Sequence, residues 1–241
     1  IRPPLGWRPS SEAFKTPDNE LKLEYVFGYR GLDCARNLLK LKNQELLYYV
    51  ASVCVILNPH NHRRTQRIFD KHRSDIECVA LNPDRITIAS VSAGIRPKVQ
   101  VWNSKSMKVL GHVDSLHEGK LCAMCFSGDG KVLALVVTNG ETCSVAFYDW
   151  RHNTLLAERT AQPWTILAME CNPVTGTFVT AGVRHVYFWR LIGRNLSVQM
   201  GLVEQHQTMT NIAFLGENDR SNTIVLGNTA GDLLLWKEDK E

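Results

Sequence analysis

Apolar runs of strand length recur along the chain, each closed by a cluster of Gly, Pro, Asn or Asp. Four line up as one series: IECVALNPD (76–84), LCAMCFSGDG (121–130), LAMECNPVTG (167–176) and NIAFLGEND (211–219). Their anchors Leu81, Phe126, Cys171 and Phe214 fall 45, 45 and 43 residues apart. A second series runs out of phase with the first: VQVWN (99–103), VAFYD (145–149), VYFWR (186–190) and LLLWK (233–237). Its anchors Trp102, Tyr148, Trp189 and Trp236 are 46, 41 and 47 residues apart. Between the two series lie Ile86–Val91, Val132–Thr138, Thr177–Gly182 and Thr223–Leu226, and after the aromatics come Lys108–Gly111, Leu155–Arg159 and Ser197–Val203. Short apolar runs bounded by turn residues predict β-strands. The period of the repeat therefore predicts four strands per unit.

Four strands per ~40–45 residues, with a large aromatic closing the third, is the pattern of a β-propeller blade. A lone four-stranded sheet cannot bury both faces, and radial stacking buries each against its neighbour. The aromatic fills the gap that widens between blades. A β-sandwich would also space strands this way, but not with two anchor series in constant phase. The fold class is all-β: a propeller of degenerate WD-type blades. The Asp that usually precedes the closing Trp of a WD repeat is replaced by Arg96, Thr142, Val183 and Ala230. His72, His117 and His206 stand where the repeat's Gly-His pair falls. No unit holds the complete polar network, so packing is expected to dominate. Residues 42–69 offer one more blade through QELLYYV, SVCVILN and TQRIFD, for about five blade equivalents. Propellers commonly close with about seven, so the chain is expected to belong to a larger or tandem propeller.

In front of the repeats stands YVFGYRGLDCARNLLKL (25–41), which matches nothing later in the chain. The first 20 residues are Pro-rich and read as a linker or arm, with Trp7 either docked on its own domain or anchoring a partner. This gives an arm over 1–20, the unrepeated segment over 21–41, blades over 42–237 and a charged tail over 238–241.

The stretch LKLEYVFGYRGLDCARNLLKL, followed by ELLYYVASVCVILN and KHRSDIECVALNPDRITIAS, resembles the echinoderm microtubule-associated protein-like family. That family carries a hydrophobic motif before an atypical propeller. The motif residues here are Gly28, Tyr29, Arg30, Gly31, Asp33 and Cys34. The likeness runs from about residue 21 to 237. It implies a structural role for the motif at the base of the first propeller, where a second propeller joins, with Leu23, Tyr25, Val26, Phe27 and Tyr29 as a buried wedge. Arg30 would then need a carboxylate or carbonyl, because an unpaired buried cation is costly.

Bulk properties constrain this picture little. The chain has 241 residues, 44% hydrophobic content and a net charge of +4, which allows an acidic partner without requiring one. The longest apolar run, Tyr48–Leu57, is too short for a membrane span of about 20 residues. Seven scattered cysteines suggest a reducing, intracellular setting.

Catalytic signals are weak. Cys122 and Cys125 form one CxxC, and strand alternation would point the two sulfurs to opposite faces. SGDGK (127–131) lacks Walker spacing and reads as a β-turn. No Ser-His-Asp order, His-Glu-x-x-His or aromatic-basic interleaving is present, so no enzyme, metal, cofactor, nucleic acid, membrane or small-molecule substrate is expected. NPHNHRRTQR places basic residues together, and Arg63, Arg64, Arg67, Lys71 and Arg73 form a candidate basic edge for a microtubule. The resemblance implies a non-catalytic scaffold of the cytoplasm and cytoskeleton, with the cilium or axoneme as an alternative setting, that binds tubulin or microtubules. A propeller adaptor in a cytoskeletal assembly without tubulin contact is the alternative.

Overall fold

The computed structural model describes residues 6–8, 21–32, 34, 36–61, 64–94, 97–114, 118–140, 142–161, 165–201, 207–215 and 223–237. Its strands form five antiparallel sheets, each with its strands in chain order. The first blade contains β1 (Leu39–Lys40), β2 (Leu46–Val50), β3 (Val53–Leu57) and β4 (Gln66–Phe69). The second contains β5 (Ile76–Leu81), β6 (Thr87–Ser92), β7 (Lys98–Asn103) and β8 (Val109–Asp114). The third contains β9 (Lys120–Phe126), β10 (Val132–Thr138), β11 (Cys143–Asp149) and β12 (Thr154–Ala161). The fourth contains β13 (Ile166–Cys171), β14 (Phe178–Gly182), β15 (His185–Ile192) and β16 (Asn195–Gly201). The fifth contains β17 (Met209–Phe214), β18 (Thr223–Asn228) and β19 (Leu233–Lys237). This is a five-blade β-propeller arrangement. One strand crosses an expected boundary: β1, the first strand of the first blade, is formed by residues 39 and 40, inside the segment read as separate from the blades.

Position in the blade explains the residue pattern. The second strands β6, β10 and β14 are buried nearly throughout, because neighbouring blades cover both faces. They therefore read as unbroken apolar or small-residue runs. The outer strands β8 and β16 alternate or stay exposed. Four core clusters sit one per blade junction. Trp102 lies in the first with Phe69, Tyr148 in the second, Trp189 in the third, and half-buried Trp236 against the fourth. Phe69 stacks on Trp102 with ring centroids 4.1 Å apart, and Phe188 on Trp236 at 4.5 Å. Burial of side chains this large contributes roughly 1.5–3 kcal/mol each.

The inner strands share an irregularity. In β5, β9, β13 and β17 the register with the next strand shifts once, leaving Glu77, Cys122, Leu167 and Thr210 as extra residues. These bulges recur at the same position in each blade, 45, 45 and 43 residues apart. A bulge bends its strand and increases local twist.

Blades also interlock through hairpin turns. The side-chain amide of Asn82 donates to the Gly130 carbonyl of the next blade at 3.0 Å, and the Trp150 indole donates to the same oxygen at 2.9 Å. Gly130 has φ +70°, and an added Cβ would lie 2.6 Å from Asn82 Oδ1. Only glycine satisfies both constraints comfortably.

Candidate interaction surfaces

The lead-in segment crosses the first blade on the side turned away from the second. Gln66 on β4 brackets the Val26 backbone, accepting from its N–H at 2.8 Å and donating to its carbonyl at 2.9 Å. Tyr29 meets Tyr48 edge to face. The two buried side chains flanking Tyr48 on β2, Leu47 and Tyr49, point instead into the junction with the second blade. The blades of this chain do not by themselves bury the expected wedge. Leu23, Phe27 and Tyr29 are exposed, Phe27 almost fully, while Tyr25 and Val26 are half-buried. An extended segment has two sides, and the sheet covers one of them. Trp7 is likewise exposed.

Arg30 does find a carbonyl. It donates to the Ile76 oxygen at 2.8 Å and lies over the Tyr49 ring. Its own carbonyl accepts from the Asn37 amide at 2.6 Å and from the Cys34 thiol at 3.0 Å. Asn37 then pairs with both backbone groups of Tyr49. Gly28 packs near Val50, and Gly31 lies against Tyr29. Asp33 lies outside the described residues.

A residue that sequence reasoning passed over makes the longest reach. Arg36, at φ +59°, donates to the Met169 carbonyl at 3.0 Å and the Ile212 carbonyl at 2.6 Å, and pairs with Glu170. The two carbonyls occupy equivalent positions, two residues beyond the bulges of β13 and β17. The inner edge of a sheet presents unpaired backbone groups, and Arg36 takes one from each of two neighbouring blades.

Part of a WD-type polar clamp survives in the second blade. The Trp102 indole donates to Ser90 Oγ at 3.0 Å, and Ser90 Oγ lies 2.7 Å from His72 Nε2. Burial pushes the His72 pKa down to about 4, so the ring is neutral at pH 7. His72 Nδ1 is buried with no partner among the described residues. In the fourth blade the Trp189 indole donates to Thr180 Oγ1 at 2.9 Å. Packing is thus supplemented by partial clamps. Arg96, His117 and His206 lie outside the described residues.

The premise about the CxxC pair also changes. The bulge at Cys122 interrupts strand alternation, and Cys122 packs against the same cluster as Cys125. Burial pushes the Cys122 thiol up to about 11 and raises the Cys125 thiol well above its ordinary value. All seven cysteines are free. No group of three or more His, Cys, Asp or Glu suited to a metal occurs among the described residues. Ser127–Lys131 forms the β9–β10 turn, closed by the Gly130 N–H to the Ser127 carbonyl at 2.8 Å.

The candidate basic edge does not form one patch. Arg64 lies in the turn before β4, and Lys71 and Arg73 lie in the connection after it, at opposite ends of the strand. Arg67, within β4, is committed to its own fold: it bonds the Ser104 carbonyl and pairs with Glu45. Lys71 pairs with Asp70 at 3.1 Å. Arg63 lies outside the described residues. Adjacency in sequence joined charges that a strand separates in space.

Antiparallel strands place the turns in two sets. Turns from first to second and from third to fourth strands lie at one end of the blades. Second-to-third turns and blade connections lie at the other. The described turns at the first end carry Lys42, Arg64, Arg85 and Lys105, then Lys108, Lys131, Arg151 and Arg194. They carry three carboxylates, Glu45, Asp84 and Asp129. The other end carries Lys71, Arg73 and Arg184 against Asp70, Asp75, Glu118 and Asp232. Among the described residues, the modest net charge therefore hides a difference between the two ends. Sorting the sequence's turns by alternation along each blade would have revealed it.

The geometry defines a β-propeller of WD-like blades with a structured lead-in. A family model described as "Echinoderm microtubule-associated protein first beta-propeller" matches residues 65–241, and a HELP motif model matches residues 16–55. The chain belongs to the echinoderm microtubule-associated protein-like family. It is 32% identical to echinoderm microtubule-associated protein-like 4 of Xenopus laevis over 92% of this chain and 25% of that protein. It is 32% identical to the mouse (Mus musculus) echinoderm microtubule-associated protein-like 1, over 91% and 28% of the two chains. With the rat (Rattus norvegicus) echinoderm microtubule-associated protein-like 2 it shares 33% identity over 91% and 35%. The chain thus spans about a quarter to a third of the length of these relatives.

Proposed function

We propose that this chain is a non-catalytic propeller scaffold that associates with tubulin or microtubules at the cytoskeleton. The observation that carries this is the family match across the propeller itself, residues 65–241, shared with proteins named for microtubule association. The fold suits contact by surface alone: rigid sheets present turns from several blades at each end. Of the candidate contact residues, Arg64 remains at an exposed turn, while Arg67 serves the fold.

The test is co-sedimentation of the chain with stabilised microtubules across a salt series, with and without the acidic tubulin tails. Pelleting that weakens with salt and with tail removal supports an electrostatic contact. Absence of pelleting at low salt defeats direct tubulin binding. A second reading, an adaptor for another cytoskeletal protein, is favoured by the exposed Leu23, Phe27 and Tyr29, which offer an apolar contact independent of charge. Salt-insensitive capture of a non-tubulin cytoskeletal protein would support it.

A further inference from the structure

We propose that the end of the propeller bearing the first-to-second and third-to-fourth strand turns is a docking face for an acidic polypeptide segment, resting on the reading above for the choice of tubulin as its source. The described turns there hold eight Lys and Arg residues against three carboxylates, and the described turns of the opposite end hold three against four.

The carboxylates of these turns are engaged by neighbouring groups. Asp84 accepts from the Ile86 and Thr87 N–H groups and the Thr87 hydroxyl, each at 2.7 Å. Asp129 accepts from the Ser127 hydroxyl at 2.6 Å and the Lys131 N–H at 3.1 Å, and its other oxygen pairs with Lys131 Nζ at 3.6 Å. Glu45 pairs with Arg67.

The face is also held in shape. The Lys42 N–H bonds the Arg85 carbonyl at 3.1 Å, Asn82 bonds Gly130, and Arg67 bonds Ser104, so turns of successive blades are tied together. The Arg151 guanidinium lies 4.3 Å over the Trp150 ring, which fixes one cation in place. A preorganised set of cations loses less entropy on binding.

A polypeptide suits this face better than nucleic acid. Single strands are held by aromatic platforms as well as cations. Trp102, Trp150 and Trp189 are buried, Trp150 being only 3% exposed.

The test uses a fluorescein-labelled decaglutamate peptide and the 241-residue chain, with anisotropy read across a salt series. One variant combines K105E, K108E, K131E and R151E; a control combines K71E, R73E and R184E at the other end. Thermal unfolding of each checks the fold, and the corresponding glutamine set replaces the reversal if that variant unfolds. The expected result is salt-sensitive binding that falls at least about tenfold in the first variant and stays within about twofold in the control. Equal losses in both, no decaglutamate binding at low salt, or tighter binding of a decathymidine strand would each overturn the proposal. Selective loss of decaglutamate binding in the first variant, in a chain that never pellets with microtubules, would uphold the face and defeat the tubulin reading.

Discussion

Ser90 takes part in two contacts at once, and its neighbours have no ready substitute. Its hydroxyl accepts from the Trp102 indole, leaving its own proton for His72 Nε2. S90A strands two buried polar groups and is expected to cost about 1–3 kcal/mol, read as a lower urea midpoint at unchanged slope. His72 adds a pH dependence. Its ordinary pKa of about 6.5 applies in the unfolded chain, and burial lowers the folded value to about 4. Between those values the unfolded chain binds a proton that the folded chain refuses, so stability falls as pH drops through that window. Burial also lowers the His185 pKa, with the same sign. Urea titrations from pH 7 to pH 4 should show a shallower decline for H72Q than for the parent; identical slopes would refute the assignment.

At the scale of elements, hydrogen bonds between hairpin turns tie neighbouring blades together. G130A combines a left-handed φ with a Cβ driven against Asn82. It should cost about 1–3 kcal/mol, visible as a lower thermal midpoint, and N82A should relieve part of that loss in a double-mutant cycle. The strands themselves were legible in the sequence because their runs are short, apolar and bounded by turn residues. β10 (VLALVVT) is the clearest case. Less legible were features that depend on contacts between distant residues. The bulge at Cys122 leaves no mark in the apolar run LCAMCF, yet it redirects one sulfur. The exposure of Phe27 depends on which side of an extended segment meets the first blade, and YVFGYRG reads the same either way. Arg67 and Arg64 looked alike because a linear string does not show that one lies within a strand beside Glu45.

For the whole molecule, the described turns of the two ends differ in charge and the two faces of the lead-in differ in exposure, so the scaffold is oriented twice over. Binding through the basic end should show a salt slope, and binding through Leu23 and Phe27 should not. Arg36 joins distant parts of the chain. R36M removes its bonds to Met169 and Ile212 and its pairing with Glu170. It should lower stability by about 2 kcal/mol and increase protease cleavage within residues 21–38; unchanged cleavage would show that the lead-in is held without it. The same tie bears on biosynthesis. Stacked repeats can fold locally, each against its neighbour, as they emerge. Arg36 cannot finish its work that way, because Ile212 lies 176 residues behind it. At ~5–20 residues per second, the ribosome needs roughly 10 to 35 s to supply that carbonyl. The lead-in therefore precedes the blades that hold it and stays unfastened at Arg36 throughout that interval.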